Sequence, residues 1–172
     1  MATKKTAIFT LTERVTCTST SETTATFDLG SYVDVGDRQA LQIHSVDYIV
    51  QGDTPSATIA SSLGAGEAQC QVTDLNRGGL VFANDRALVS SMRLILDTDG
   101  YLSNVTDLYP DNFGKGSDDG RFVVNDQLYV TAKLSALAGS AVNIVVRVNA
   151  SIVTLSQKDF MAIAIQSTAA DN

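Results

Sequence analysis

Apolar side chains recur at every second position through much of this chain, and the longest such run is AVNIVVRVNASIVTL, from Ala141 to Leu155. Val142, Ile144, Val146, Val148, Ala150 and Ile152 fall on one side of the repeat, which predicts a long strand with one buried face. Asn143, Arg147, Asn149 and Ser151 fall on the other side, with Val145 and Val153 among them. That side is expected to meet solvent, a neighbouring strand's polar edge or a neighbouring subunit.

The same alternation predicts most of the remaining elements. Ala7, Phe9, Leu11, Val15 and Cys17 alternate with threonines in a strand from Thr6 to Cys17, with a bend expected at Glu13. Ala25, Phe27 and Leu29 mark a short strand closed by Gly30, and the β-branched run from Ala40 to Val50 marks a second long one. Between Gln51 and Gly79 the pattern weakens into a loop, with short strands expected at Ala57–Ala60 and Glu67–Val72. Leu88–Leu96 is the next strand. A long excursion from Asp97 to Gly120, dense in Gly, Asn and Asp, follows it. Arg121 to Val130 reads as one bulged strand or as two strands joined at Asn125-Asp126. After the longest strand, Ser156 with Asp159 three residues on has the form of a capping box. A short C-terminal helix is therefore expected, with Phe160, Met161, Ala164 and Ile165 on one face, although the isoleucines also permit a final strand.

About eight strands with almost no helix argue against alternating β-α units. The expected fold is all-β: an antiparallel two-sheet sandwich, a single jelly roll with a short C-terminal helix. Residues 1–172 are expected to form one domain, with 1–5 as a flexible N-terminal arm and 167–172 as a flexible C-terminal tail.

Composition narrows the partners. The net charge is −7, so a polyanion is repelled at long range and direct nucleic-acid binding is not expected. No apolar run is long enough for a membrane helix, and the N-terminus has no secretory pattern. Cys17 and Cys70 lie in predicted strands, where a free cysteine behaves as a small buried hydrophobe; a disulfide between them is the less favoured reading.

Candidate chemistry is sparse. His44 is the only histidine, so a Ser-His or Cys-His device would need it, but its place in QIHSVDY makes it a strand residue, exposed or hydrogen-bonded. Asp97/Asp99 and Asp118/Asp119 flank the long loop. A glycosidase uses two such acids but also wants aromatic platforms, and the chain has no tryptophan. Asp97 and Asp99 are the candidates for a cation, although Asp97-Thr98-Asp99-Gly100 matches only a fragment of a calcium loop, and solvated turn acids are the favoured reading. Asn104-Val105-Thr106 and Asn149-Ala150-Ser151 match the glycosylation triplet by chance. The glycines at Gly64, Gly66, Gly78 and Gly79 lack the strand-to-helix setting of a phosphate loop. No catalytic residue, cofactor, metal or small-molecule substrate is expected, and the chain is not read as an enzyme.

Taken together, the N-terminal alternating strand, VDVGDRQALQIHSVDYIV, the Asn- and Gly-bearing loop, GRFVVNDQLYVTA and NIVVRVNASIVTLSQKDF resemble in layout a viral jelly-roll capsid protein. The resemblance implies a virion shell subunit that self-assembles symmetrically, with interfaces on the Asp97–Gly120 loop and the terminal segments. Lys4 and Lys5 are a slight remnant of the basic arm that many such proteins carry. The alternative is a β-sandwich binding module: a virion decoration, receptor-binding or lectin-like carbohydrate-binding protein.

Overall fold

The protein is described by a computed structural model covering residues 2–105, 113–114 and 119–168. In chain order these residues form β1 (Thr3–Lys4), β2 (Phe9–Cys17), β3 (Thr23–Asp28), β4 (Gln39–Gln51), α1 (Ile59–Leu63), β5 (Gly66–Thr73) and β6 (Leu88–Leu96). β7 (Leu102–Val105), β8 (Arg121–Val123), β9 (Gln127–Leu134), β10 (Val142–Thr154) and α2 (Gln157–Thr168) follow. They build two five-stranded antiparallel sheets. In the first, β10 lies between β4 and the edge formed by β1 and β2, and β8 adds to β4; the second runs β3-β9-β5-β6-β7.

The pairing is nested. Leaving aside the short β1 and β7, the first strand pairs with the last (β2 with β10) and the second with the second-last (β3 with β9). β4 then pairs with β8, and β5 with β6 closes the set. An antiparallel hairpin folded over itself in this way is a jelly roll, so the expected fold class is observed. The β3–β4, β5–β6 and β8–β9 connections lie at one end of the sandwich. The β2–β3, β4–β5, β6–β7 and β9–β10 connections lie at the other.

Between the sheets, Val142, Ile144, Val146, Val148 and Ala150 of β10 are fully buried against Cys70 and Val72 of β5 and Leu128 and Val130 of β9, all in one core cluster. The alternation fails at Ile152, which is only half-buried, whereas Val153 on the opposite face is fully buried. The reason is a second, smaller cluster outside the first sheet: Ala40, Val124, Val153 and Leu155, covered by Phe160, Ile163 and Ala164 of α2.

Several expectations change. β2 pairs without a break through Glu13, opposite Val146, so no bend occurs there. The irregular step is earlier, where the Lys5 and Thr6 amides both donate to the Ile152 carbonyl. Ala57–Ala60 is not a strand: α1 starts here, with the Thr58 side chain accepting from the Ser61 amide as its cap. The excursion after Asp97 first turns back as β7, hydrogen-bonded to β6. Arg121 to Val130 is two strands, one in each sheet. The Ser156 half of the capping box forms, Ser156 Oγ accepting from the Asp159 amide at 3.2 Å, and the same hydroxyl donates to Asp159 Oδ2 at 2.7 Å. That hydroxyl bond holds the Asp159 carboxyl below its ordinary range. The predicted helix face is rotated, however, because Met161 and Ile165 point outward, 55% and 62% exposed. Residues 106–112, 115–118 and 169–172, with most of the expected C-terminal tail, lie outside the described residues.

The core assignment predicts that Ile144→Ala lowers the unfolding free energy by about 2–5 kcal/mol in urea titration, while Ile165→Ala shifts it by no more than about 0.5 kcal/mol.

Candidate functional site

His44 is almost fully buried, on the outer side of the first sheet. The β4–β10 register shifts there: Ser45 stands opposite Asn149 and Ile43 opposite Ala150, leaving His44 as the extra residue of a bulge. Bulges re-aim a side chain, and this one sets the imidazole between strand and loop. Its Nδ1 lies 3.0 Å from the Gly114 carbonyl and its Nε2 2.8 Å from Ser151 Oγ. A carbonyl only accepts, so Nδ1 donates to it, while the Nε2–Ser151 Oγ bond can run in either direction. Ser151 Oγ donates to Gln42 Oε1 at 3.4 Å, Gln42 donates through Nε2 to the Asp119 carbonyl, and the Phe113 amide donates to the His44 carbonyl at 2.7 Å. Gly120, at φ +106°, completes the approach: a Cβ there would sit 2.6 Å from the Ile43 carbonyl oxygen.

The Ser151–His44 pair has the contact that a serine nucleophile needs, but Ser151 has no exposed surface and the other ring nitrogen is held by the Gly114 carbonyl. Chemically it is a fastener, holding described parts of the β7–β8 connection onto the sheet. The polar face of β10 is used in the same way. Asn143 accepts from Thr16 and donates to the Gly52 carbonyl, and Asn149 accepts from Thr10 and donates to Ser45 and Asp47. Arg147, between them, is exposed opposite Asp47 and Thr12.

Asp97 is a turn residue. Its Oδ1 accepts from the Asp99 and Tyr101 amides at 3.0 and 2.8 Å, and Asp99 is exposed. Among the described residues no group of three metal-ligating side chains comes together around Asp97 and Asp99 or elsewhere. Asp118 lies outside the described residues, and Asp119 takes part through its carbonyl. Cys17 and Cys70 are free and buried. Burial pushes both thiols up, Cys70 strongly and with a further contribution from Cys17, so neither is a ready thiolate.

An ionic junction that the sequence did not announce ties the two sheets together. Asp74, at the end of β5 and 3% exposed, accepts from Arg121 of β8 at 2.9 Å. Its amide donates to the Ala87 carbonyl, and its carbonyl accepts from Asn125 Nδ2 at 2.6 Å. Asp74 Oδ1 and Arg121 Nε have no hydrogen-bond partner among the described residues. Burial raises the Asp74 carboxyl above its ordinary range, and the Arg121 guanidinium pulls it only part of the way back.

A further accessible feature is on the outer face of the second sheet. The β5–β6 connection folds back along that face, pinned where the Gln71 side chain donates to the Val81 carbonyl at 2.9 Å and accepts from the Val81 amide at 2.8 Å. The strap passes Glu22 at Gly79, where an added Cβ would come within 2.5 Å of the carboxylate oxygen and displace that flexible side chain. Beside the strap is a cleft of about 240 Å³ lined by Glu22, Glu67, Gln69, Leu80, Lys133 and Leu134, among others. Phe82 stands out from the strap, 87% exposed. The sequence signal was LVF, three large apolar residues between Gly78-Gly79 and Ala83-Asn84-Asp85, too short for a strand and out of place in a loop.

No protein-family profile matches the chain, and no curated protein matches it. Among solved structures, the VP1 protein of Trichodysplasia spinulosa-associated polyomavirus in complex with 3'-sialyllactose is similar at 11% identity and a TM-score of 0.47, over 90% of this chain and 97% of that one. The same protein in complex with GM1 oligosaccharide is similar at 11% identity and a TM-score of 0.45, over 89% and 97%. The fold assignment rests on this chain's own strand registers.

The Asp74 environment predicts a signed pH effect. With the folded carboxyl above its ordinary value, the folded state binds more protons than the unfolded one between the two values. Wild type therefore gains stability relative to Asp74→Asn as pH falls through the raised folded value toward about 4, and loses that margin as pH rises again. Paired urea titrations across this range check it; a difference that grows with pH contradicts it.

Proposed function

We propose that this chain is a structural virion protein that assembles with copies of itself into a symmetric shell. One observation carries the reading. The groups capable of chemistry, His44, Ser151, Cys17 and Cys70, are buried, whereas large apolar residues are displayed on connections at both ends of the sandwich. Val35, 58% exposed, sits on the β3–β4 connection; Tyr101 and Leu102, 71% and 49% exposed, sit at the β6–β7 turn. Subunits that close into a shell need contact surfaces on several sides, and apolar residues held out of the core supply them. In this reading the protein resides in the virion, takes no cofactor and performs no catalysis. No helix among the described residues is long and apolar enough to cross a membrane.

Charge sets the conditions. Each copy carries −7, so association is opposed by long-range repulsion that salt screens. Light scattering and electron microscopy of the purified protein are expected to show closed particles or discrete ring-like oligomers, more of them at about 1 M salt than at about 0.01 M. A protein that stays monomeric at high concentration and salt, yet binds a glycan array, overturns the reading in favour of a binding module.

A further inference from the structure

We propose that the outer face of the β3-β9-β5-β6-β7 sheet is a two-fold contact between copies of this chain, in which Phe82 of each copy enters the cleft beside Leu80 of the other. The inference rests on the self-association reading and deepens it by naming the surface.

Phe82 is held out by its surroundings rather than by chance. The two Gln71–Val81 hydrogen bonds fix the residue before it, and its own carbonyl accepts from the Asp85 amide at 3.0 Å. Asp85 in turn pairs with Arg77 at 3.0 Å and accepts from the Ala87 amide at 2.8 Å. A ring displayed on a fastened strap loses little conformational freedom when it docks. At 87% exposure it does not fill the cleft of its own copy, although Leu80, two residues away, lines that cleft.

A projection and a recess on one face make that face self-complementary, which is what a two-fold contact requires. Charge selects a second copy as the occupant. The face presents three ion pairs, Arg77–Asp85 at 3.0 Å, Arg93–Glu67 at 2.8 Å and Lys133–Glu22 at 3.9 Å. Their charges cancel on a chain whose total is −7, so two copies meet here without the repulsion they meet elsewhere. A strongly basic partner would gain more from the acidic remainder of the surface. Reciprocal docking of two phenylalanines buries about 300–500 Å² of the roughly 1,200–2,000 Å² of a standard interface, as an anchor does.

The test uses sedimentation velocity on the full chain with disulfide trapping. Phe82→Ala is expected to weaken the dimer step about tenfold or more, whereas Ile49→Ala, on β4 in the first sheet, leaves it unchanged. Mixing Phe82→Cys with Gln69→Cys protein under mild oxidation is expected to trap the mixed dimer faster than either variant traps itself. If wild type self-associates while Phe82→Ala associates equally well and no mixed disulfide accumulates, this contact is wrong and the shell reading stands. If wild type does not self-associate at all, both fall.

Discussion

The structure depends on the pairing of β2 with β10. It joins Phe9 to Ala150 and Cys17 to Val142, so nearly the whole chain is enclosed by its first and last long strands. Apart from the short β1, the other paired strands among the described residues fall between β2 and β10 in the chain, and the buried face of β10 becomes the floor on which the second sheet packs. Pairings this distant carry a loop-closure cost before any contact offsets it, which makes such a fold slow to form. Once formed, it leaves the ends of the sandwich to carry loops and the faces to carry whatever those loops fasten to.

Both outer faces are fastened by side-chain amides, hydroxyls and one imidazole that alternate with the core residues. On the first sheet, Gln42, His44 and Ser151 hold Gly114 and Asp119, while α2 covers Val153 and Ala40. On the second, Gln71 holds the strap that carries Phe82. A polar strand position thus acts at a distance, because fixing a loop decides which of its apolar residues are presented outward. Asp74 and Arg121 belong to the same scheme, since they lock the base of that strap to β8 of the opposite sheet.

The inward half of this architecture was legible from spacing. Alternation located β2, β5 and β10, a run of β-branched and aromatic residues located β4, and Ser156 with Asp159 located the start of α2, because these signals are local. The outward half was not. His44 occupies a bulge that depends on how β4 meets β10, and Ile152 and Val153 exchange burial only because α2 returns over the sheet. Ala57–Ala60 has no period of its own, and a single capping threonine turned it to helix. Phe82 was overlooked because exposure is a property of the folded strap; three apolar residues in a row cannot say whether they will be buried.

Amide hydrogen exchange on dilute and on concentrated protein tests the central claim of self-association most directly. The account predicts that amides of the strap between β5 and β6, with those of β9 beneath it, gain protection on concentration while β10 is unchanged. Identical exchange at both concentrations would contradict self-association, and new protection confined to the outer face of the first sheet would contradict the strap contact alone.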